Sequence, residues 1–313
     1  MAQVRPLNFH WYRPTLDKIL EGYFIKDILL GGIGRPLRVM PWEDIGQIRI
    51  GPDSLVGTMG DEMALALTEA KSRGVRNVGA FHMGDERGDH NRAFYGDADY
   101  VIRNYWHEPA FATSQTRSLG VLWAPNGYRT GLGPIDAAQH LSIAQRRIIG
   151  FFAGAISGRL LEDQRPAMLR CASAAKLPFT IMTTGGFGQG LGVVSYASWL
   201  SNARFALVPA GNSHETIRLY EALEAGAIPI MVRSAFVSQT GALGALGIPP
   251  FILLDSWDGL AEAYAPFADA GAPATIESLE NMRRQVVQWW TAFKQMQRTK
   301  IRNLIDRSFE RVN

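Results

Sequence analysis

Residues 203–232 combine residue types that suit a site for a phosphorylated ligand. The segment reads as a strand, a loop with Pro209 and Gly211, a helix and a second strand. In parallel α/β sheets, ligands bind beyond the carboxyl end of a strand, where the loop meets the next helix. The exposed N–H groups and the positive dipole end of that helix suit a diphosphate, and Asn212 or Ser213 is placed to cap it.

Two charged residues of the predicted helix, residues 214–225, extend this site. Arg218 lies one turn after His214, and Glu221 follows three residues later on the same side. An arginine can bind phosphate through two hydrogen bonds, and a carboxylate can accept two hydrogen bonds from a ribose diol. The spacing is therefore typical of a grip on a nucleoside diphosphate, with an ordinary surface ion pair as the alternative.

The order of these elements resembles the donor-binding signature of exostosin-like glycosyltransferases. That signature is an aromatic strand running into Pro-x-Gly, then Arg-Leu-x-Glu-Ala, then Gly-x-Ile-Pro before another strand. Here its parts are residues 205–209, Gly211, residues 218–222 and residues 226–230. The resemblance implies that this half of the chain binds a nucleotide-sugar donor, most simply one linked to UDP.

Flanking residues extend the resemblance. Gly154, which ends a Phe-Phe-Ala-Gly run, and Arg165 resemble the opening of the family's donor domain. Asn212, Glu215 and Thr216 resemble the branch that includes the ribitol xylosyltransferases. The resemblance implies donor-binding roles for Gly154, Arg165, Gly211, Asn212, Ser213, His214, Glu215, Arg218 and Glu221.

The same resemblance implies an α/β fold of the GT-B type, with two Rossmann-like domains facing a cleft. It also implies an inverting transfer that needs no metal or other cofactor. Retaining GT-B enzymes often carry two glutamates eight positions apart, but Ser213 and Thr216 stand eight positions before Glu221 and Glu224. The inverting interpretation is therefore kept.

The hydrophobic pattern independently favours two α/β domains, because short apolar runs alternate with helical patterns from about residue 37. Expected strands in the first half are residues 37–40, 54–58, 77–81, 100–103 and 120–123. The pattern lapses into Gly, Pro and polar residues before a strand near residue 148. The predicted domains are residues 1–145, on the acceptor side, and residues 146–313, which bind the donor.

The acceptor chemistry is expected in the first domain. Inversion requires a base that removes the acceptor hydroxyl proton as the oxygen attacks the anomeric carbon. Asp85, Glu86 and His82 follow a predicted strand and are the candidates, with Asp85 favoured first, Glu86 second and His82 third; a solvated loop and a buried histidine are the alternative. Arg103, Tyr105 and His107 follow the next strand and are expected to line the acceptor side, unless Tyr105 belongs to the core.

No metal site is predicted. Asp97 and Asp99 match the Asp-x-Asp pair of GT-A enzymes, but they precede a strand where that pair would follow one. The six histidines show neither His-x-x-x-His spacing nor a cluster with cysteine. The diphosphate is therefore expected to be bound by arginines and a helix N-terminus instead of a metal ion.

Composition limits the class of partner. The chain has 313 residues, 47% of them hydrophobic, and a formal net charge of only +3, which excludes a general nucleic-acid binder. A single cysteine, the lack of an apolar leader and the lack of about 20 consecutive apolar residues favour a cytoplasmic protein. Lys294, Arg298 and Arg302 form a helical basic stripe that suits peripheral contact with a membrane or an anionic polymer, or else a solvated face.

The sequence thus favours a glycosyltransferase acting on a glycan, polyol-phosphate or lipid-linked acceptor, which fits polysaccharide biosynthesis. A sugar-nucleotide epimerase has a similar fold and would need no acceptor. A noncatalytic module would bind the nucleotide sugar without turnover. The sugar, the acceptor and the oligomeric state are left open by the sequence.

Overall fold

Two parallel β-sheets carry the architecture, and their strands arise from successive apolar runs of the chain. The computed structural model describes residues 4–108, 111, 115–156, 161, 163–186, 189–238 and 240–311. The strands are β1 Leu7–Tyr12, β2 Leu37–Trp42, β3 Ser54–Thr58, β4 Val78–His82, β5 Tyr100–Arg103, β6 Val121–Trp123, β7 Ile148–Ala155, β8 Phe179–Thr184, β9 Ala203–Leu207, β10 Ile228–Val232 and β11 Ile252–Leu254.

Helices connect most of these strands. A π-helix spans Phe24–Leu30, and several single 3₁₀ turns lie in the loops. The α-helices are α1 Arg13–Leu16, α2 Ala64–Ser72, α3 Gln164–Ala174, α4 Val193–Ser201, α5 Ile217–Glu224, α6 Leu260–Tyr264 and α7 Pro273–Glu310.

The first compact unit consists of Met1–Asn126 and Lys294–Asn313. Its six strands lie in the order β2-β1-β3-β4-β5-β6, and neighbouring strands are parallel. Strands β3, β4 and β5 are buried along their whole length. The five strands predicted for this half are all present, with ends that differ from the predicted ones by at most two residues.

Strand β1 is absent from the sequence-based prediction because its apolar residues alternate with polar ones. Leu7, Phe9 and Trp11 face one core. His10 on the opposite face is also buried, because its Nδ1 accepts a hydrogen bond from the Trp42 indole N–H at 3.1 Å and its Nε2 lies 3.1 Å from the Ser54 hydroxyl. A central strand can thus contain polar residues when each finds a partner.

The second compact unit is Gly127–Phe293. Its five strands lie in the order β11-β10-β9-β7-β8, again with parallel neighbours. Phe152 of β7 and Phe205 and Leu207 of β9 belong to a core that includes Trp257 and Leu260. The two sheets and their helices form two parallel α/β domains, as the sequence predicts.

The first unit's main segment ends at Asn126 and the second unit begins at Gly127, whereas the sequence predicts the domain boundary after residue 145. Residues after 126 join the second unit through buried polar contacts. The backbone N–H of Ile135 donates to Glu224 Oε1 at 2.8 Å, and Arg146 donates to the Ala203 and Ala225 carbonyls. A loop without regular structure thus belongs to the domain that satisfies its polar groups.

The last residues of α7 belong to the first unit, which the sequence-based domains also did not anticipate. Arg298 Nε donates to the Ile28 carbonyl at 2.5 Å, and Arg302 pairs with Asp306. Two members of the expected basic stripe, Arg298 and Arg302, therefore have partners in the first unit, and contact of the stripe with a membrane stays a prediction. Across the part of the chain that the structure describes, no helix is long and apolar enough to cross a bilayer.

Candidate functional site

The strand order of the second sheet reverses at β7. Strand β8 lies on one side of β7, while β9, β10 and β11 follow on the other. The loops after β7 and β9 therefore diverge and leave a crevice at the carboxyl ends of these strands, which is where open α/β sheets bind ligands. The predicted donor-binding residues lie near the end of β7, on the loop after β9, at the start of α3 and on α5.

Arg218 of α5 reaches the end of β7. Its NH2 group donates to the Ala153 carbonyl at 2.8 Å, and its guanidinium carbon lies 4.5 Å from the centre of the Phe152 ring. Its Nε is buried and has no hydrogen-bond partner among the described residues. A Cβ on Gly154 would lie 2.5 Å from NH2, so the glycine leaves the space that the guanidinium occupies.

Arg165 of α3 also reaches the end of β7. Its NH1 donates to the Ala155 carbonyl at 2.7 Å, and its Nε donates to the Ala210 carbonyl at 3.3 Å. A Cβ on Gly211 would lie 2.9 Å from its NH2. Two guanidinium groups therefore meet the loops after β7 and β9, and each is accommodated by a glycine.

Helix α5 begins three residues later than predicted, so Asn212 and Ser213 are not its caps. The Ser213 hydroxyl donates to the Glu215 carbonyl at 2.7 Å, which keeps the loop in a turn. Thr216 has extended backbone angles and is the N-cap, yet its buried Oγ1 makes no hydrogen bond within the described chain. The N-terminal end of α5 thus has an unused donor and acceptor beside its N–H groups.

Glu221 does not lie open to a ligand. Its carboxylate is fully buried and accepts from Nε and NH2 of Arg129, the latter at 3.2 Å. The Arg129 guanidinium lies over the Tyr196 ring, 4.7 Å from its centre, and burial together with Glu221 raises the pKa of Tyr196. This differs from the expectation that Glu221 accepts the ribose hydroxyls, because a buried, paired carboxylate supports its neighbours.

The two remaining donor-site residues differ in exposure. Glu215 is buried and accepts a hydrogen bond from the Tyr220 hydroxyl at 2.8 Å, so it ties the loop to helix α5. His214 is half-buried, and burial lowers its pKa. A neutral imidazole at this position can accept or donate a hydrogen bond without adding charge.

In the first unit, Asp85 forms a buried ion pair with Arg103. The distance between Asp85 Oδ2 and Arg103 NH2 is 2.9 Å, and both side chains are almost inaccessible. Burial alone would raise the pKa of Asp85, but the backbone N–H of His90 and the Arg103 guanidinium outweigh it and lower that pKa. Arg103 therefore cannot line an acceptor surface as predicted, and Asp85 has no exposed surface for a substrate.

His82 is also inaccessible. Its Nδ1 lies 2.7 Å from the Tyr95 hydroxyl and its Nε2 lies 3.2 Å from His90 Nδ1. Burial, then the nearby Arg103 charge, lowers the pKa of His82 to about 3. A weakly basic, enclosed imidazole is poorly suited to deprotonate an acceptor hydroxyl.

Glu86 is the one of the three predicted bases that is partly exposed. Tyr105 is buried, not acceptor-facing, and its hydroxyl donates to Glu86 Oε1 at 2.9 Å. Asn126 Nδ2 in turn donates to the Tyr105 oxygen at 2.9 Å. His107 is half-buried against Gly88, and burial, then Arg103 and Arg92, lowers its pKa.

The Asp-x-Asp pair has structural partners. Asp97 accepts from the Thr68 hydroxyl at 2.5 Å and pairs with Lys71 at 2.7 Å. Asp99 accepts from the backbone N–H of Val78 and pairs with Arg117. These contacts fasten α2 and β4 to the loop before β5.

Comparison with known proteins bears on the half that holds the two arginines. A family model described as the RXYLT1 C-terminal domain matches residues 191–310, which include β9 and α5. The match confirms the resemblance of this segment to exostosin-like glycosyltransferases and their ribitol xylosyltransferase branch. No curated protein matches the sequence.

Solved structures extend the comparison to the whole chain. Sucrose-phosphate synthase from Thermosynechococcus elongatus is 13% identical, with a TM-score of 0.54, over 96% of this chain and 99% of that one. Trehalose-phosphate synthase from Burkholderia vietnamiensis is 10% identical, with a TM-score of 0.43, over 89% and 84%. The first similarity shows the fold, which is of the GT-B glycosyltransferase type. The fold and the RXYLT1 match together support a glycosyltransferase.

The RXYLT1-type segment contains Arg218 and Glu221 but not all of their partners. Arg129 lies 92 residues before Glu221 and outside the matched range. No local pattern marks it, and only the need of a buried carboxylate for a cation could have suggested such a residue. Threonine is a common N-cap residue, so Thr216 was a recognisable candidate, but the sequence does not reveal the turn at Ser213 that precedes the start of α5.

Proposed function

We propose that the chain is an inverting glycosyltransferase that takes a hexose or pentose from a nucleotide-diphosphate sugar, UDP-linked in the simplest case. Arg165 and Arg218 carry this proposal, because both reach the carboxyl end of β7 beside the start of α5. The acceptor is a hydroxyl of a glycan, a polyol-phosphate or a lipid-linked sugar. The donor diphosphate binds between the two guanidinium groups.

The chemistry of the donor site suits a leaving diphosphate. The N–H group at Arg218 Nε and the backbone N–H groups at the start of α5 can bind phosphate oxygens through charge-assisted hydrogen bonds. As the glycosidic bond breaks, negative charge grows on the diphosphate, and fixed positive groups stabilise it most at that moment. We therefore propose that the diphosphate departs without a metal ion.

Nucleotide recognition rests on the network beneath the site. Glu221 holds Arg129 in one orientation, and Arg129 covers the Tyr196 ring. We assign Glu221 a positioning role, and His214 and Asn212 remain on the loop where a nucleotide can meet them. Gly154 and Gly211 keep the floor open for both arginines.

For the base we propose Glu86. Of the three predicted candidates it alone is partly exposed, and the Tyr105 hydroxyl holds its carboxylate in place. In the catalytic step its carboxylate accepts the acceptor hydroxyl proton, the acceptor oxygen bonds to the anomeric carbon, and the bond to the diphosphate oxygen breaks. His82 and Asp85 then serve the structure of this loop.

An acceptor-dependent turnover assay tests this function. Nucleotide sugars are first screened by thermal shift, and the donor that stabilises the protein is incubated with and without glycan, polyol-phosphate and lipid-linked acceptors. Release of nucleoside diphosphate with formation of an inverted glycoside is the expected result. An altered nucleotide sugar without acceptor would indicate an epimerase, and binding without turnover would indicate a noncatalytic module.

A further inference from the structure

Three potential ligand side chains converge on the loop that follows β4. His82, Asp85 and His90 each offer one ligand atom, and these atoms lie within 4.8 Å of one another. The closest pair is His82 Nε2 and His90 Nδ1, at 3.2 Å. Asp85 Oδ1 lies 4.0 Å from His90 Nδ1. The spacing His-x₂-Asp-x₄-His matches no common metal motif, so the sequence did not indicate this cluster.

The distance between the two imidazoles suits a shared metal ion. Two nitrogens bound to one tetrahedral Zn²⁺ at about 2.05 Å lie about 3.3 Å apart. The observed 3.2 Å is within about 0.1 Å of that value. Asp85 Oδ1 would need to move by about 0.7 Å to reach the same spacing from His90 Nδ1. The three groups are therefore nearly in place for one ion.

The two buried ligands, His82 and Asp85, each have a supporting contact at the ligand atom that does not face His90. The Tyr95 hydroxyl lies 2.7 Å from His82 Nδ1, which leaves Nε2 directed at His90. Arg103 binds Asp85 Oδ2 at 2.9 Å and leaves Oδ1 on the side of His90. Metal-binding histidines and carboxylates commonly have such supporting hydrogen bonds, which fix the ring orientation and tautomer.

We propose that His82, Asp85 and His90 bind a divalent transition-metal ion, with Zn²⁺ the first candidate. Two imidazoles and one carboxylate form a donor set that Zn²⁺ accepts, with water in the fourth position. The His90 side chain is 30% exposed and gives the ion a path from solvent. The ion would fasten the start of the loop, after β4, to His90 and so fix the segment that carries Glu86.

All three ligands belong to the first unit, whereas Arg165 and Arg218 belong to the second. A metal ion held by these three ligands is therefore not expected to contribute to nucleotide binding. Chelation should lower the thermal stability of the protein while nucleotide affinity stays unchanged, which separates a failure of this proposal from a failure of the donor-site assignment.

Zinc binding by the full chain tests the proposal. The protein is stripped with EDTA, dialysed and titrated with Zn²⁺ against a chromogenic chelator, and Co²⁺ is added separately to record ligand-field bands. Wild type should bind one ion per chain. Tyr95→Phe should weaken binding about 10- to 100-fold, and His90→Gln, which removes a ligand at the exposed edge, should weaken it further.

The matched control is His214→Gln, which removes a half-buried histidine of the second unit. It should bind Zn²⁺ as wild type does. Circular dichroism establishes that each variant is folded, and His90→Asn replaces His90→Gln if the latter is not. Equal Zn²⁺ affinity in wild type and folded His90→Gln, or no Co²⁺ bands in wild type, would overturn the proposal and leave His82 and His90 a hydrogen-bonded pair.

Discussion

Arg129 grips the buried carboxylate of Glu221 with two donors, Nε and NH2. Glu221 is fully inaccessible while Arg129 keeps 22% of its side chain exposed. The guanidinium thus joins a core helix to the surface beside the proposed donor site. A charge in this position is tolerated only while its partner remains, because an unpaired buried carboxylate has lost its hydration.

Removing Arg129 should therefore destabilise the second unit strongly. Arg129→Ala is expected to lower the free energy of unfolding by about 3 to 5 kcal/mol, measured by urea denaturation. The matched control is Arg233→Ala, because Arg233 pairs with Asp255 on an exposed surface, with 59% and 96% of the side chains accessible. That change should cost less than about 1 kcal/mol. Equal losses in the two variants would show that the buried pair has no special role.

Gly154→Ala tests the space beneath Arg218. The new Cβ would lie 2.5 Å from the end of a flexible side chain, so the guanidinium should move while the backbone stays. We expect nucleotide affinity to fall about tenfold and the free energy of unfolding to change by less than about 1 kcal/mol. Gly259→Ala adds a Cβ with no atom within 4 Å and should change neither quantity. Unchanged affinity in Gly154→Ala would remove Arg218 from the donor site.

Glu86 and Asp85 should respond differently to loss of charge. Glu86→Gln is expected to lower kcat by about 10² to 10⁴ while donor affinity and stability persist, because only the proton acceptor is lost. Asp85→Asn leaves Arg103 buried without its carboxylate and should lower stability by about 3 to 5 kcal/mol. If folded Asp85→Asn is inactive and Glu86→Gln turns over normally, the base is Asp85.

His10 makes the first unit sensitive to acid. The Trp42 indole N–H donates to His10 Nδ1 at 3.1 Å, so that nitrogen must be unprotonated, and burial lowers the pKa of His10 to about 4. Because the unfolded value is about 6.5, the stabilisation is complete above pH 6.5 and is lost as the pH falls towards 4. The loss should reach about 3 kcal/mol.

Comparison of wild type with His10→Gln isolates this contribution. Unfolding is followed by tryptophan fluorescence at several pH values, and the difference in free energy between the two proteins is plotted. The difference should be largest above pH 6.5 and shrink towards pH 4. A difference that stays constant across this range would contradict the neutral state of His10.

Most of the fold was predictable because buried parallel strands are continuous apolar runs. Strands β3 and β5 have the predicted ends, and β4 begins and ends one residue later than predicted. Strand β1 escaped prediction because His10 and Asn8 interrupt its apolar pattern, and only tertiary partners make the polar positions acceptable. The boundary after Asn126 was not predictable for a related reason, because hydrogen bonds between residues far apart in sequence determine which unit a loop packs against.

The site shows the same division. The residue types and order around Gly211 and Arg218 indicated an anion site, and the fold brings these residues together with Arg165 and Gly154. Burial was not predictable, because whether a charged side chain faces a ligand or a partner depends on residues far away in sequence. Glu221 with Arg129 and Asp85 with Arg103 are both paired inside the protein.

The donor site itself is tested most directly by calorimetric titration with UDP of wild type, Arg218→Ala and Arg170→Ala. Losing the charge-assisted hydrogen bonds of Arg218 should cost about 1.5 to 3 kcal/mol of binding free energy, or at least about a tenfold loss of affinity. Arg170 is exposed on α3 and serves as the matched control, with unchanged affinity expected. Equal UDP affinity in wild type and folded Arg218→Ala would contradict the assignment of a nucleotide-sugar donor to this site.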